Sequence, residues 1–316
     1  MDILDQAQQL NRQGRVAEAI ALIRQAGQSG DADAQFALAN WNLHALNGPR
    51  NLAKAHSWLA MAATQDHGEA LMLQATLFAN GTGCRGDQVA AQAILHRLAS
   101  RYPDAARQVA LLACMEPESE WRSRVRALHH SPHISHAPAF LSGSECDYLV
   151  DVIRRYMQPS LVIDPVTGQR IPNPVRTSSG ASFGPTQENP LVHAINCRIA
   201  ALTGTTVESG EPLHMLHYRP GQQYRPHLDA LPGVANQRQW TVLLYLNDGY
   251  TGGETYFDRL RLRFAGQRGD ALVFANLDDA NRPEQHSRHA GLPVMQGEKW
   301  LATRWIRQTA YHPWSG

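Results

Sequence analysis

The pattern of apolar and polar positions divides the chain in two. From residue 1 to about 115, Ala, Leu and Gln recur at helical spacing, which predicts a run of amphipathic helices. A shift of 36 residues lays part of this stretch onto itself. Ala34-Gln35-Phe36 falls on Ala70-Leu71-Met72; Ala55, Trp58 and Leu59 fall on Ala91, Ile94 and Leu95; Ala19 and Ile23 fall on Ala55 and Leu59. Each unit predicts a helix pair whose small alanines allow close approach, with turns at Asn47-Gly48-Pro49 and Asn80-Gly81-Thr82-Gly83. From Ala137 the pattern changes. Ser142 followed by Glu145 is a capping-box signal for a helix over 142–156. Beyond Val175, short runs of β character follow at 176–183, 213–219, 240–247, 260–264, 271–276 and 300–308, separated by Gly and Pro turns. This density predicts a sandwich or barrel of the jelly-roll kind. Residues 116–136, polar and rich in turn signals, read as a linker between a helical module over 1–115 and a second domain over 137–312.

Composition agrees with two folded domains. The chain has 316 residues, 43% of them hydrophobic and 18% charged, and domains run to about 100–200 residues. Lys and Arg total 29 against 28 Asp and Glu, a net charge of +1, so there is no basic field of the kind a general nucleic-acid binder or a polybasic membrane-surface protein carries. No apolar run reaches the roughly 18 residues that span a bilayer, and the first residues lack the basic start and apolar core of a secretory signal. Cys84, Cys114, Cys146 and Cys197 are scattered without a close pair, which reads as reduced thiols in a cytoplasmic protein. Only two lysines occur, Lys54 and Lys299, against 27 arginines. A lysine in a site-like context therefore stands out.

The densest chemical signal is the run from His214 to Asp229. His227 and Asp229 are two apart, so on a strand they share one face. An imidazole and a carboxylate converging there, joined by one distant histidine, would form the two-His-one-carboxylate triad that leaves coordination positions open on Fe(II). His286 and His289 are both candidates for the third ligand. Ten residues after His289 stands Lys299; ten after His286 stands Gln296, which has no charge to offer. The cluster His129, His130, His133 and His136 is irregularly spaced around a proline, which argues against a metal role.

Two resemblances follow from these residues. Residues 12–100, with their glycine turns and alanine-rich second helices, resemble the Sel-like subfamily of tetratricopeptide repeats. Such arrays offer surfaces to peptides or partner proteins; the alternative is a brace or oligomerisation element for the second domain. Residues from about 136 to 310 resemble the prolyl 4-hydroxylase branch of the Fe(II)- and 2-oxoglutarate-dependent dioxygenases. The blocks that carry the resemblance are Tyr218, Gly221-Gln222, Tyr224, His227 with Asp229, Arg238, Thr241, Tyr245-Leu246-Asn247, Gly252-Gly253-Glu254-Thr255, Gly269-Asp270 with Phe274, His289, Pro293-Val294, Gly297, Lys299-Trp300 and Trp305, in that order. Upstream, Phe140-Leu141-Ser142 and Arg176-Thr177-Ser178-Ser179-Gly180 are similar to the opening of the same domain.

That resemblance implies a double-stranded β-helix with flanking helices. It implies Fe(II) on His227, Asp229 and His289, and 2-oxoglutarate and O2 as cosubstrates, with ascorbate as an accessory. The distal carboxylate of 2-oxoglutarate would meet Lys299, because an unpaired buried charge is costly, and Thr241 and Tyr218 would add hydroxyl hydrogen bonds. Tyr224, Arg238, Trp305 and Arg176 would line the substrate groove. Glu254 reads as structural, because the implied reaction needs no base. The implied activity is hydroxylation of a prolyl residue in a protein or peptide, with release of succinate and CO2 and with no nucleic-acid or membrane partner. The alternatives are the same chemistry on a free amino acid or other small molecule, and a repeat-based adaptor whose oxygenase domain is inactive.

Overall fold

The structure is a computed structural model that describes residues 2–163, 170–173 and 175–314. It divides into two compact units, Met1–Ala113 with Pro185–His193, and Cys114–Gly184 with Ala194–Gly316. No helix among the described residues is long and apolar enough to cross a membrane.

The first unit is built on α1 (Ile3–Arg12), α2 (Val16–Gln28), α3 (Ala32–His44), α4 (Leu52–Thr64), α5 (Gly68–Asn80), α6 (Gln88–Leu98) and α7 (Pro103–Ala113). The repeat is visible in their bounds: α4 begins and ends 36 residues after α2, and α5 begins and ends 36 residues after α3. The caps repeat as well. Asp31, Asn51, His67 and Asp87 each accept, through the side chain, a backbone N–H three residues on, which satisfies one orphan donor of each helix start. Helices α3 and α5 both end on a left-handed residue, Ala45 and Gly81. Ala34, Ala55, Ala70 and Ala91 are fully buried, as expected of small residues where helices meet closely.

The second unit opens with α8 (Glu118–Ser123), followed by β1 (Arg126–His130), β2 (His133–Ala137) and α9 (Gly143–Ile153). Then come β3 (Gln158–Pro159), β4 (Leu161–Ile163), β5 (Arg170–Pro172), β6 (Ser179–Ser182) and α10 (Pro190–Thr203), whose first turn belongs to the first unit. The remaining strands are β7 (His214–Tyr218), β8 (Tyr224–His227), β9 (Arg238–Tyr245), β10 (Thr251–Gly252), β11 (Thr255–Phe257), β12 (Leu262–Phe264), β13 (Ala271–Ala275), β14 (His289–Gly291), β15 (Val294–Gln296) and β16 (Lys299–Arg307). One sheet has eight strands in the order β1-β2-β13-β9-β16-β7-β6-β3, and a second has four in the order β12-β11-β14-β8. Every pairing is antiparallel. Leu216, Tyr218, Leu243, Tyr245, Leu272, Phe274 and Leu301 of the large sheet pack with Phe257 of the small one in a single buried cluster. This is the two-sheet jelly-roll core. The Ser142–Glu145 capping box is present, with both reciprocal hydrogen bonds.

The expected linker is not one. Residues 116–136 form α8, β1 and most of β2, and β2 joins the large sheet beside β13. Trp121 is 1% exposed and sits edge-on to Phe140 at 5.2 Å between ring centroids, and Ile134 is fully buried. Two apolar anchors in a polar stretch are enough to dock it. The histidines of this segment hold separate places: His129 is bonded to the Pro132 carbonyl, His133 to the Ser135 hydroxyl, and His136 faces Asp270 at 2.9 Å.

Candidate active site

Strands β8 and β14 pair so that His227 lies directly opposite His289. The two rings are 4.4 Å apart. His227 Nδ1 lies 2.8 Å from the Arg225 carbonyl, and His289 Nδ1 lies 3.0 Å from the Ser287 carbonyl. A carbonyl only accepts, so both Nδ1 atoms donate, and in the neutral ring that leaves the Nε2 lone pair free to bind a metal. Those two Nε2 atoms face Asp229, at 3.5 Å from Oδ1 and 3.8 Å from Oδ2 respectively. One potential ligand atom from each of the three residues lies within 4.8 Å of the others, and among the described residues no other His, Cys, Asp and Glu group is so arranged. Burial pulls His289 down to about 4, so it is neutral at physiological pH. Burial alone would push Asp229 up, but the attraction of its two histidine neighbours in their charged forms, together with the Thr241 hydroxyl hydrogen bond, outweighs it and holds the carboxyl well below the usual carboxylate range. Two neutral imidazoles and one carboxylate are the donor set of a divalent iron site, so the residues fit that metal. His286 is exposed on a short turn and bonded to Glu284, away from the cluster.

Lys299 opens β16 and is 2% exposed. Its Nζ donates to the Gly253 carbonyl at 2.6 Å and lies 5.1 Å from the Tyr245 ring centre and 5.9 Å from those of Tyr218 and Tyr250. Gly253 is left-handed, φ +71°, a conformation that suits glycine in the turn that brings its carbonyl to the ammonium. No carboxylate pairs with Lys299 among the described residues. Burial pulls its pKa down to about 7, opposed by the charge of Glu254. Such a cation is matched to an anionic ligand. Burial also pushes the Tyr218 and Tyr245 phenols up, so both stay protonated; the Tyr245 hydroxyl is bonded to Thr255 at 2.7 Å.

One pocket joins the two groups. Of the residues expected from sequence, Tyr218, Tyr224, His227, Asp229, His289, Lys299, Arg176 and Trp305 line it. Tyr224 stacks on His227 with ring centres 3.6 Å apart. Arg176 reaches over Tyr224 and donates to Ser160 and to His214. Two of the expected residues, Arg238 and Thr241, do not line the pocket. Arg238, expected in the groove, is bound through two nitrogens to Glu211 at 2.7 and 2.8 Å and lies 3.8 Å over the Trp305 ring, which itself lines the pocket. Thr241, expected to hydrogen-bond the cosubstrate, is fully buried and donates its only hydroxyl proton to Asp229 Oδ2 at 2.6 Å. Sequence reasoning gave Thr255 no role and missed Glu211 and the lining residues Leu216, Leu243, Leu301 and Thr303. Period-two alternation could have found several: Lys299, Leu301, Thr303 and Trp305 share one face of β16, and Leu216 and Tyr218 share one face of β7.

A family model described as the 2OG-Fe(II) oxygenase superfamily matches residues 213–307. The chain is 35% identical over 209 residues to prolyl 4-hydroxylase 1 of Arabidopsis thaliana, covering 60% of this chain and 71% of that protein. It is 33% identical over 212 residues to probable prolyl 4-hydroxylase 7 of the same plant, covering 60% and 67%. The solved structure of a viral collagen prolyl hydroxylase from Paramecium Bursaria Chlorella virus-1, in complex with 2OG, is 27% identical and covers 56% of this chain and 96% of that one, with a TM-score of 0.44. With this kinship, the chain belongs to the prolyl 4-hydroxylase family within the 2OG-Fe(II) oxygenases, and it is a 2-oxoglutarate-dependent dioxygenase.

Proposed function

We propose that the protein hydroxylates a prolyl residue of a protein or peptide, with His227, Asp229 and His289 as the Fe(II) ligands and 2-oxoglutarate and O2 as cosubstrates. The observation that carries this reading is a single pocket that holds two imidazoles, one carboxylate and a buried ammonium with no carboxylate partner among the described residues. Fe(II) in a three-ligand site supplies the oxidising chemistry, with 2-oxoglutarate consumed to succinate and CO2. The chain's own residues do the rest. Lys299 pairs with the distal carboxylate of 2-oxoglutarate, and the rings of Tyr218, Tyr245 and Tyr250 surround that end. Leu216, Leu243 and Leu301 keep water from the cosubstrate. Tyr224, Arg176 and Trp305 receive the peptide beside His227. Ascorbate is the accessory reductant of this reading.

Purified protein with Fe(II), 2-oxoglutarate and a host-cell lysate should yield proline residues that carry one added oxygen atom, detected by mass spectrometry, in step with succinate formation. Succinate formed without any hydroxylated proline, alongside a hydroxylated free metabolite, would move the substrate class from peptide to small molecule. The helical repeats are proposed to recruit the protein substrate. The full chain should then show a lower KM for an intact protein target than for a short peptide with the same proline; equal values would remove that role.

A further inference from the structure

His227 and His289 are aimed by their strands: each sits in the β8–β14 ladder and each ring is tied to a backbone carbonyl. Asp229 is not. It lies two residues past the end of β8, on a bend, where no ladder hydrogen bond sets its direction. Its carboxylate is buried to 4% exposure and is held from behind by a chain of side chains. Thr241, on β9, donates Oγ1–H to Oδ2 at 2.6 Å. Asn276, just past β13, donates Nδ2–H to Thr241 Oγ1 at 2.8 Å. Both residues are fully buried.

The polarity of this chain is forced. An ionised carboxylate only accepts, so the single hydroxyl proton of Thr241 must point to Asp229, and the residue behind Thr241 must then offer a donor. Asn276 offers its NH2 group and leaves its own Oδ1 buried without a partner among the described residues. The reversed amide would place an acceptor against Thr241 and draw its proton away from Asp229. The Asn276 backbone is anchored on both sides, its N–H donating to the Gln239 carbonyl and its carbonyl accepting from Glu284 N–H, so the amide approaches Thr241 from a fixed base. With Oδ2 held by the hydroxyl, Oδ1 is the oxygen turned to His227 Nε2.

We infer that Asn276 is a positioning residue of the metal site, acting through Thr241 to hold the Asp229 carboxylate in its ligand orientation. The inference rests on the assignment of His227, Asp229 and His289 as metal ligands. Partners of this outer kind typically change metal affinity by about 10–100-fold.

The test is calorimetric titration of Mn(II) into the full chain, without cosubstrate and without turnover. Thr241→Val should weaken Mn(II) binding about 10–100-fold, and Asn276→Leu by about 10-fold. The double variant should bind no more weakly than Thr241→Val alone, because Asn276 acts only through that hydroxyl. Thr241→Ser, which restores the proton, should recover most of the affinity. The melting temperature of Asn276→Leu should stay near that of the parent, since the change also removes a buried unmet acceptor; if leucine does not pack, Asn276→Ala serves for the same comparison. Unchanged Mn(II) affinity in the Asn276 variant overturns the inference, as does a double variant whose loss is the product of the single losses. Asp229→Ala is the control: should it bind Mn(II) as the parent does, the metal assignment itself falls and the inference with it.

Discussion

Replacing Lys299 by methionine keeps most of the length of the side chain and removes its charge. In the parent, the ammonium sits 2% exposed, with one carbonyl and three tyrosine rings for company. Without it, the distal carboxylate of 2-oxoglutarate would be buried with no cation. Breaking a buried ion pair on one side costs about 3–5 kcal/mol, which corresponds to a weakening of 2-oxoglutarate binding of roughly two to four orders of magnitude. The pH dependence makes the prediction sharper. In the free protein burial holds Lys299 near a pKa of about 7, and only its protonated form pairs with the carboxylate. As pH rises through that value the free protein loses the proton that binding requires. Affinity must then fall, by nearly tenfold for each further pH unit, or about 50-fold between pH 7 and pH 9. Below pH 7 the lysine is already charged, so affinity should level off. The Met variant has no such proton and should give a flat profile at uniformly weak binding. Titration of 2-oxoglutarate into the Mn(II)-saturated protein across this range measures both effects. A Lys299→Met protein that binds 2-oxoglutarate as tightly as the parent would refute the assignment of this pocket. So would a parent profile that does not change above pH 7.

Two further outcomes follow from the geometry. His289→Ala should abolish Mn(II) binding and turnover, whereas His286→Ala should retain most of both, because only His289 faces Asp229; the reverse pattern in the same titration would exchange the third ligand. Trp121→Ala should lower unfolding stability by about 3–5 kcal/mol in denaturant melts, the usual cost of emptying a buried tryptophan site, whereas a change within a true linker would leave the midpoint where it is.

Much of the active site was legible in the chain because its chemistry is concentrated in rare residues at short spacing. His-x-Asp at 227 and 229, one of only two lysines at 299, and the distance from His289 to that lysine mark the pocket before any fold is known. The repeat was legible for a different reason. Its alanines recur at the same offset as the helices that carry them, so composition and structure share one period. For Arg238 and Thr241, motif position gave the neighbourhood and not the hydrogen-bond partner. Glu211 stands 27 positions from Arg238, and only the fold brings the two together. Asn276 carried no signal, being a common polar residue at the end of an apolar strand.

The sequence by itself determined the two-part organisation and the mainly β character of the second part, because these depend on local periodicity; spacing singled out His227 and Asp229, and the resemblance to a family chose His289 over His286 as the third donor. The tertiary structure decided where the donors point. The small sheet that pairs His227 with His289 consists of strands of three or four residues, too short for alternation to register, and β11 and β14 were not expected at all. It also decided that residues 116–136 are part of the fold, since two buried side chains, Trp121 and Ile134, outweigh a polar average once a core exists to receive them. Finally it decided which way one hydroxyl proton faces: β9 places Thr241 between an acceptor-only carboxylate and an amide donor, and the proton is directed by partners 12 and 35 positions away along the chain.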